Sequence, residues 1–320
     1  MAQAAKTIEN TQAKKKRKAK YGREVIRENL QLYSLMIPVF ILIIIFCYIP
    51  MYGIVIAFQD YTPGSPFLGS GVDWVGFKHF VNFVQGEYFW RLIKNTLVLN
   101  LLNLVFGFTI PIAFALLMDQ IQALRFKKVI QTLSYMPYFI SAVVVAGMVI
   151  SFIDVNGLIT NFLTLFGMEQ QNYRINPTAF PIVYTVTNVW KGFGFGSILY
   201  FSTISSIDPE LYESAKLDGA NRWQRVRYIT IPGIQNIIAI NLIMTIGGIL
   251  NTNSELILLL YTPAVYDVSD VIGTYTYRLG IQGGQYSYTT AAGLFMSVIG
   301  FIMTIIANKI SNRLTGFGLW

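Results

Sequence analysis

Two short stretches of the sequence combine residue types that bind small polar molecules. The first, TNVWKGFGF, contains an amide, an amine and aromatic rings, and the second, LNTNSEL, contains amides, a hydroxyl and a carboxylate. Amides and charged groups hydrogen-bond polar solutes, whereas aromatic rings contact apolar faces. The candidate binding residues are Asn188, Trp190, Lys191, Gly192 and Phe195 in the first stretch and Asn251, Asn253, Ser254 and Glu255 in the second.

Catalysis has little support in the residue inventory. One histidine, His79, and one cysteine, Cys47, argue against a His/Cys metal site and exclude an intrachain disulfide. The pattern G-x-x-x-x-G-K-[ST] of ATP-binding loops does not occur, so the chain does not hydrolyse ATP by that route. The carboxylates within apolar segments are too few for an acid–base pair. A membrane-bound enzyme is therefore disfavoured, and no cofactor is predicted for this chain.

The elements that carry the candidate residues are apolar enough to lie in lipid. Of 320 residues 54% are hydrophobic and 12% are charged, whereas a soluble domain carries roughly a quarter charged residues. A helix crosses the hydrocarbon core with about 20 mostly apolar residues. Six stretches meet this length, at about 32–58, 92–118, 128–153, 179–204, 234–260 and 290–308. The predicted fold is all-α, a polytopic membrane protein with six transmembrane helices, the first of them retained rather than cleaved.

The positions of lysine and arginine orient these spans, because short cytoplasmic loops carry an excess of both. Nine of the 24 basic residues precede Leu30. With the N-terminus inside, 18 basic residues are cytoplasmic, five are external and Lys191 lies within a span. Both termini are therefore predicted to be cytoplasmic. Residues 1–30 form a basic tail held near anionic membrane lipid, residues 31–320 form the membrane domain, and nucleic acid is not expected as a partner.

A polar segment, Asp208 to Pro232, separates the fourth and fifth predicted spans. Asp208 can cap a helix that has Pro209 at its first position, and Gly219 can end that helix. Asn221 can cap a second helix, and Pro232 is expected to break that helix before the fifth span. The pattern predicts two short cytoplasmic helices at an angle. They could rest on the membrane or fit a cleft in another protein.

The letters ESAKLDGANRWQRVRYITIP in this segment resemble the EAA loop of ABC-importer permeases. That loop reads Glu-x-Ala, then x-x-Asp-Gly-Ala and, further on, Ile-x-Leu-Pro; Ser214 and Ile231 depart from it mildly. The matching positions are Glu213, Ala215, Asp218, Gly219, Ala220, Ile229 and Pro232. The stretches WVGFKHF, FWRLIKNTLVLN and NVWKGFGFGSILYFSTISSIDPELYESAKLDGA are similar to carbohydrate permeases. The chain thus resembles a carbohydrate-type ABC importer permease subunit, as in maltose, multiple-sugar and complex-oligosaccharide systems.

This resemblance implies a type I importer fold in the bacterial cytoplasmic membrane, with residues 205–233 as the coupling loop. In that family the loop docks in a groove of a cytoplasmic ATPase, which uses ATP and magnesium. The implied coupling residues are Glu213, Ala215, Asp218, Gly219, Ala220 and Arg222. The implied partners are a second homologous permease subunit, two ATPase subunits, an extracytoplasmic solute-binding protein and a sugar. The expected class of sugar is an oligosaccharide.

The resemblance also bears on where a sugar would bind. Five candidate residues match positions that line the sugar path of the maltose permease, namely Asn188, Gly192, Phe195, Asn251 and Ser254. Each of the candidate residues could instead hydrogen-bond between helices or to the second subunit. Charged groups within a span are costly, so Lys191 and Glu255 are expected to pair with each other or to lie nearer an interface.

Two other transport functions remain open on the sequence. An importer of the same mechanism could carry a peptide, a phosphate ester or a polyamine, although the carbohydrate-like stretches disfavour this. A self-contained secondary transporter or channel would not need the EAA-like hairpin, and it would usually have more spans or a charge relay within the membrane.

Overall fold

The computed structural model describes residues 29–30 and 33–319 of the chain. The predicted basic tail, residues 1–30, lies outside the described residues except at its last two positions. The chain divides into two compact units, Met1–Val55 and Ile56–Trp320.

The first unit contains most of one helix, α1 (Tyr33–Phe58), whose last residues belong to the second unit. No Asp, Glu, Lys or Arg occurs in its 26 residues. The backbone widens into a π turn at Ile44–Tyr48 and tightens into a 3-10 helix at Tyr52–Phe58. Its length and composition are those of a membrane-spanning helix.

The second unit consists of helices joined by turns and short loops, and the only bridge between extended residues in the described chain joins Gln59 to Trp74. Its principal helices are α2 (Lys78–Val84), α3 (Phe89–Asp119), α4 (Leu124–Phe139), α5 (Ala142–Ile153), α6 (Leu158–Thr164), α7 (Phe180–Ser205), α8 (Pro209–Leu217), α9 (Arg222–Gly247), α10 (Ser254–Leu260), α11 (Ile272–Thr276) and α12 (Tyr286–Thr315). The all-α membrane fold expected from the sequence is therefore confirmed.

Five helical segments in the described chain are long and apolar enough to cross a membrane. They are Tyr33–Phe58, Phe89–Asp119, Ala142–Thr164, Arg222–Gly247 and Tyr286–Arg313. The remaining predicted span, 179–204, corresponds to α7, which has 26 residues but is not among these five. The count of six spans and the cytoplasmic side of the termini stay predictions.

Two predicted spans are not continuous helices. The third, 128–153, bends at Ile140 and Ser141, where both residues are extended and the Ser141 side chain accepts a hydrogen bond from the Val144 amide. The fifth, 234–260, ends at Gly247 and restarts at Ser254. The physical reason is that consecutive glycines have low helix propensity, while the downstream asparagine offers a cap for a new helix.

Helix α3 connects the three buried apolar clusters of the second unit. Its Leu92 packs with α2, α11 and α12, its Leu99 packs with α7 and α10, and its Ala115 packs with the C-terminal part of α7 and the middle of α9. Helix α7 packs along α3 and also against α4, and α9 packs along α12. The long helices are thus held in one frame by contacts that run the whole length of α3.

The contact between α4 and α7 depends on a glycine. A Cβ atom at Gly194 would overlap the backbone carbonyl of Ser134, so the two helices approach there as closely as their backbones permit. Small residues at such crossings let membrane helices pack by van der Waals contact. This approach also brings Tyr138 of α4 beside Phe195 of α7, where their rings stack with centroids 4.0 Å apart.

Replacing Gly194 by alanine is therefore expected to destabilise the protein. The added methyl group meets backbone rather than a flexible side chain, and overpacking of this kind costs about 1–3 kcal/mol. The measurement is the midpoint of thermal unfolding in detergent. The control is Gly147→Ala in α5, where a Cβ meets nothing within 4 Å and alanine favours the helix. Equal midpoints for the two variants would show that the α4–α7 approach is not tight.

Candidate functional site

Two neighbouring cavities lie between the helices of the second unit. The larger has a volume of about 470 Å³ and is lined by α3, α7 and α9, including Asn103, Asn188, Phe195 and Asn241. The smaller, of about 240 Å³, is lined by α3, α7 and the unwound segment after α9. Both cavities share Asn103, Asn188 and Thr245. We refer to the two together as the asparagine cavity.

Three amide side chains at this cavity form a hydrogen-bonded chain. Nδ2 of Asn188 donates to Oδ1 of Asn103 over 2.8 Å, and Nδ2 of Asn253 donates to Oδ1 of Asn188 over 3.1 Å. Nδ2 of Asn103 in turn donates to the Leu99 carbonyl. An amide has two donor hydrogens and an oxygen with two lone pairs. Each of the three side chains therefore keeps hydrogen-bonding capacity for a bound molecule.

The Asn253 side chain also orders the end of the unwound segment after α9. Oδ1 of Asn253 accepts a hydrogen bond from the Leu256 amide over 3.3 Å and so caps α10. A side-chain oxygen in this position satisfies an amide that would otherwise have no partner in the helix. Asn253 thus links the start of α10 to α7 through Asn188.

An exposed aromatic surface adjoins these amides. Phe195 lines the larger cavity, is 39% exposed and stacks on Tyr138 at an interplanar angle of 4°. Because the stack fixes the ring, its apolar surface has a defined orientation. The cavity therefore combines amides with an aromatic face, as expected from the residue types in the sequence.

The structure brings together only some of the predicted binding residues. Asn188 lines both cavities, Gly192 and Phe195 line the larger, and Asn251 and Asn253 line the smaller. Trp190 instead lines separate apolar cavities on the other side of α7. Ser254 and Glu255 belong to the first turn of α10, and neither lines the asparagine cavity.

The two charged candidates do not meet. Lys191 is half-buried on α7 and Glu255 is exposed at the start of α10. Among the ion pairs of residues 33–319 none joins them. The pairing that the sequence left open is therefore absent from this conformation. Ser254 and Glu255 were expected within the fifth span, and the interruption of that span places them in a separate short helix instead.

Several lining residues were missed in the sequence, namely Asn100, Asn103 and Asn241. Asn100 and Asn103 are three residues apart within the apolar stretch NTLVLNLLNL, so they lie on one side of α3. Polar residues repeated at helical spacing inside a span were the signal that could have identified them, because such groups face the bundle interior.

The polar hairpin between α7 and α9 has the predicted caps. Oδ1 of Asp208 accepts from the Glu210 amide over 3.0 Å, and α8 begins at Pro209. Gly219 has φ of 80°, a left-handed conformation, and turns the chain after α8. Asn221 and Gln224 form a reciprocal capping box at the start of α9. These local predictions are confirmed.

Pro232 does not break the second helix, contrary to the expectation from the sequence. The helix continues from Arg222 to Gly247 and passes through a π turn at Val226–Thr230. In this turn the Ile231 amide bonds to the Val226 carbonyl, five residues back. The wider spacing shifts the hydrogen bonds at the point where proline has no N–H to donate. The hairpin is therefore continuous with the helix that lines the cavity.

One hydrogen bond fastens α8 to that helix. The Tyr212 hydroxyl and Oγ1 of the buried Thr230 are 3.0 Å apart. Burial raises the pKa of Tyr212 above its ordinary value, partly offset by this hydrogen bond. The phenol therefore stays protonated at neutral pH and the bond persists there.

The outer surface of the hairpin presents both charged and apolar side chains. Of the predicted coupling residues, Glu213, Asp218, Gly219 and Arg222 are exposed, whereas Ala215 and Ala220 are half-buried. Leu217 is 90% exposed and Trp223 is 76% exposed. Large exposed apolar side chains beside charges are typical of surfaces that bind another protein.

A buried ion pair, not anticipated from the sequence, closes the end of the unit that contains α11. The fully buried Asp270 accepts two hydrogen bonds from the Arg278 guanidinium, at 2.7 and 3.2 Å, and its backbone carbonyl accepts from Asn95 of α3. Burial tends to lower the pKa of Arg278, but the hydrogen bond to Asp270 raises it overall. The Arg278 guanidinium therefore stays charged, and its contact with Asp270 holds the segment before α12 against α3.

The capping and bridging roles of Asn253 can be separated by substitution. Asn253→Ala removes both, so the Leu256 amide is expected to exchange its hydrogen about fivefold faster, the effect of losing a cap. Asn253→Asp keeps the cap oxygen but replaces the amide NH2 group that donates to Asn188, so the Leu256 amide is expected to keep its slow exchange. Hydrogen-exchange mass spectrometry of α10 is the measurement. Equal exchange in both variants would contradict the capping role.

Comparison with known proteins identifies the relatives of this chain. A sequence profile of the family described as "Binding-protein-dependent transport system inner membrane component" matches residues 107–316. The chain is 39% identical over 290 residues to the polygalacturonan/rhamnogalacturonan transport system permease protein YteP of Bacillus subtilis (strain 168), covering 90% of each protein.

Solved structures give the same result. A bacterial ABC transporter involved in the import of the acidic polysaccharide alginate matches with a TM-score of 0.81 and 42% identity, covering 91% of this chain and 98% of that one. A bacterial alginate ABC transporter in complex with an alginate pentasaccharide-bound periplasmic protein matches with a TM-score of 0.82 and 41% identity, covering 92% and 99%. The chain belongs to the family of binding-protein-dependent transport system inner membrane components, the permeases of ABC transporters.

Proposed function

We propose that this chain is one permease subunit of an ABC importer for oligosaccharides and forms half of the translocation pathway. The asparagine cavity carries this proposal, because it places amides and a fixed aromatic ring within the membrane domain. Sugars offer hydroxyls that amides can bind and a less polar ring face that an aromatic ring can contact. The sugar and polysaccharide cargoes of the related permease and transporter support the same class.

Within this proposal the residues have distinct roles. Asn188, Asn251 and Asn253 hydrogen-bond sugar hydroxyls, and Phe195 offers its ring to a sugar face. Gly192 has no side chain and therefore leaves space in the cavity beside Asn188. Asn100, Asn103 and Asn241 join this set because they line the same cavity. The proposal assigns no sugar contact to Trp190, Ser254 or Glu255. These residues pack between helices or contact other subunits.

The hairpin from Asp208 to Pro232 is the surface that receives the force of ATP hydrolysis in this proposal. Its exposed Leu217 and Trp223 would enter a groove of a partner ATPase, with Glu213 meeting basic groups of that protein. The Tyr212–Thr230 hydrogen bond and the unbroken α9 join the hairpin to the cavity wall. Movement of the docked hairpin would then be transmitted to the cavity. ATP and magnesium belong to the ATPase, and no cofactor is assigned to this chain.

The proposed assembly contains four further protein chains. A second permease subunit supplies the other half of the pathway, two ATPase subunits bind the hairpins, and an extracytoplasmic binding protein delivers the sugar. The related transporter solved with a periplasmic protein supports the last of these.

Purification tests the assembly. The tagged protein, extracted from its host in mild detergent, is expected to bring with it an ATPase, a second permease and a solute-binding protein, identified by mass spectrometry. The melting temperature of that binding protein against a glycan panel then names the cargo. A chain that purifies alone and moves solute in vesicles without ATP would be a secondary transporter instead. A binding protein stabilised only by peptides or phosphate esters would exclude the sugar assignment.

A substitution tests the docking role of the hairpin. Gly219→Asp is expected to abolish transport while the protein still inserts in the membrane. Aspartate tolerates the left-handed conformation better than most residues, and a Cβ at Gly219 meets nothing in this chain within 4 Å. The loss would therefore arise at the partner.

Gly167→Asp is the matched control for this substitution. Its φ of 82° is nearly that of Gly219, and a Cβ there also meets nothing within 4 Å. Uptake of labelled sugar into proteoliposomes containing the whole complex is measured, and the control is expected to keep it. Full uptake by Gly219→Asp would exclude the coupling role.

A further inference from the structure

One charged side chain in α7, that of Lys191, forms no ion pair with any residue of the described ranges 29–30 and 33–319. Lys191 lies near the middle of the 26-residue helix and is half-buried. It stands three residues after Asn188 and four before Phe195, so the three residues lie on adjoining positions of one helix side. Asn188 and Phe195 both line the asparagine cavity. Lys191 itself is not among the residues that line either part of this cavity. Its helix position between Asn188 and Phe195 places it at the edge of the proposed sugar path.

No anion of the described chain neutralises this ammonium group. The ion pairs of residues 33–319 involve Asp60, Asp267 and Asp270, all in segments between the long helices. Neither part of the asparagine cavity is lined by an aspartate or a glutamate. A charged residue in a membrane span is costly and marks a substrate or ion path when it faces the bundle interior. Its counter-ion is therefore to be sought in what passes through the cavity.

We propose that Lys191 binds a carboxylate of the transported sugar, so that the cargo is an acidic oligosaccharide containing uronic acid units. This inference rests on the proposed sugar-import function and specifies its substrate class. An ammonium group donates up to three hydrogen bonds on a flexible stem, which suits a carboxylate that moves along a path. Asn188 would hydrogen-bond neighbouring hydroxyls of the same sugar unit, and Phe195 would contact its ring face.

The cargoes of the related proteins agree with this chemistry. Alginate is named an acidic polysaccharide in the description of one matched transporter, and the related Bacillus permease belongs to a polygalacturonan/rhamnogalacturonan system. Alginate and polygalacturonan are both polymers of uronic acids. The position of Lys191, rather than these names, assigns the residue that distinguishes an acidic from a neutral cargo.

The competing partner of Lys191 is Glu255. It is the carboxylate of α10 closest in sequence to Asn253, which bonds to Asn188 of α7. The two side chains form no ion pair here, but a different conformation of the transporter could bring them together. A structural pair of that kind would affect acidic and neutral cargoes alike, which gives a measurable difference between the two roles.

The test uses the complete importer, with its second permease, ATPases and binding protein, in proteoliposomes. Initial uptake is measured for an oligouronate and for the same oligosaccharide with its carboxylates converted to methyl esters. The variants are Lys191→Gln, Lys191→Arg and Glu255→Gln. Lys94→Gln is the matched control, since it removes the same charge from an exposed position of α3, six residues before the first cavity-lining residue of that helix, Asn100. The binding protein is identical throughout, so changes between variants arise in the permease.

Lys191→Gln is expected to lower the ratio of acid to ester uptake about tenfold, the effect of losing one hydrogen bond to a charged group. Lys191→Arg is expected to retain most of the ratio, and Lys94→Gln and Glu255→Gln are expected to leave it as in the wild type. Copurification with the ATPases verifies that each variant assembles. If the wild type does not carry the ester, the comparison uses uptake of the acid alone. Lys191→Gln is then expected to lower acid uptake about tenfold, and Lys191→Arg much less.

Two results would overturn the inference while leaving sugar import standing. In the first, Lys191→Gln and Glu255→Gln both lower the uptake of acid and ester equally, which is the behaviour of a structural pair. In the second, Lys191→Gln keeps the wild-type ratio of acid to ester uptake, or Lys191→Gln and Lys191→Arg lower acid uptake equally. A wild-type complex that carries neither sugar would instead overturn the proposed function, and this inference with it.

Discussion

The chain of amides from Asn103 through Asn188 to Asn253 is the interaction on which the site depends. It joins α3, α7 and the cap of α10 in a part of the protein that lipid surrounds. A polar group buried without a partner costs about 2–7 kcal/mol, depending on the reference medium. Because each of these three amides supplies a partner for the next, they line the cavity without that cost. The unwound segment after α9 is tolerated for the same reason, since it lines a cavity rather than facing lipid.

The cavity and the hairpin are mechanically connected. Helix α9 carries Asn241 at the cavity and continues without interruption to Arg222 in the hairpin, and Tyr212 ties α8 to the same helix. A π turn lies between the two regions, at Val226–Thr230. π turns often occur at functional sites, because they alter the helix without ending it. In the proposed importer this helix connects the docked hairpin to the cavity wall without a break.

An ion pair holds the end of the second unit that contains α11. Asp270 is buried and accepts hydrogen bonds from Arg278 and Thr274, while Asn95 of α3 donates to its carbonyl. Breaking this pair is costly because the buried Asp270 would lose its partner. Helix α3 therefore meets a fixed segment at one end and the amide chain in its middle. The hairpin lies outside these contacts and presents the exposed surface that a partner can bind.

Local sequence determined most of the elements and the hairpin of this protein. Apolar length alone located four of the six predicted spans as continuous helices. The hairpin caps at Asp208 and Asn221 followed from side chains that bond amides two or three residues away. The left-handed turn at Gly219 was likewise predictable, because glycine favours it regardless of the surroundings. The family was recognisable for the same reason, since its motif is a short run of neighbouring residues.

Only the tertiary structure decided which polar residues meet. Asn188 and Asn103 are 85 positions apart, and their contact depends on the packing of α3 against α7, which no local pattern specifies. The interruption after Gly247 moved Ser254 and Glu255 out of the expected span, and the π turn let α9 pass Pro232 without a break. Asp270 and Arg278 are near in sequence, yet their burial requires α3 as the third partner. Hydrogen bonds between distant residues are fixed by how helices pack, and packing is a property of the whole fold.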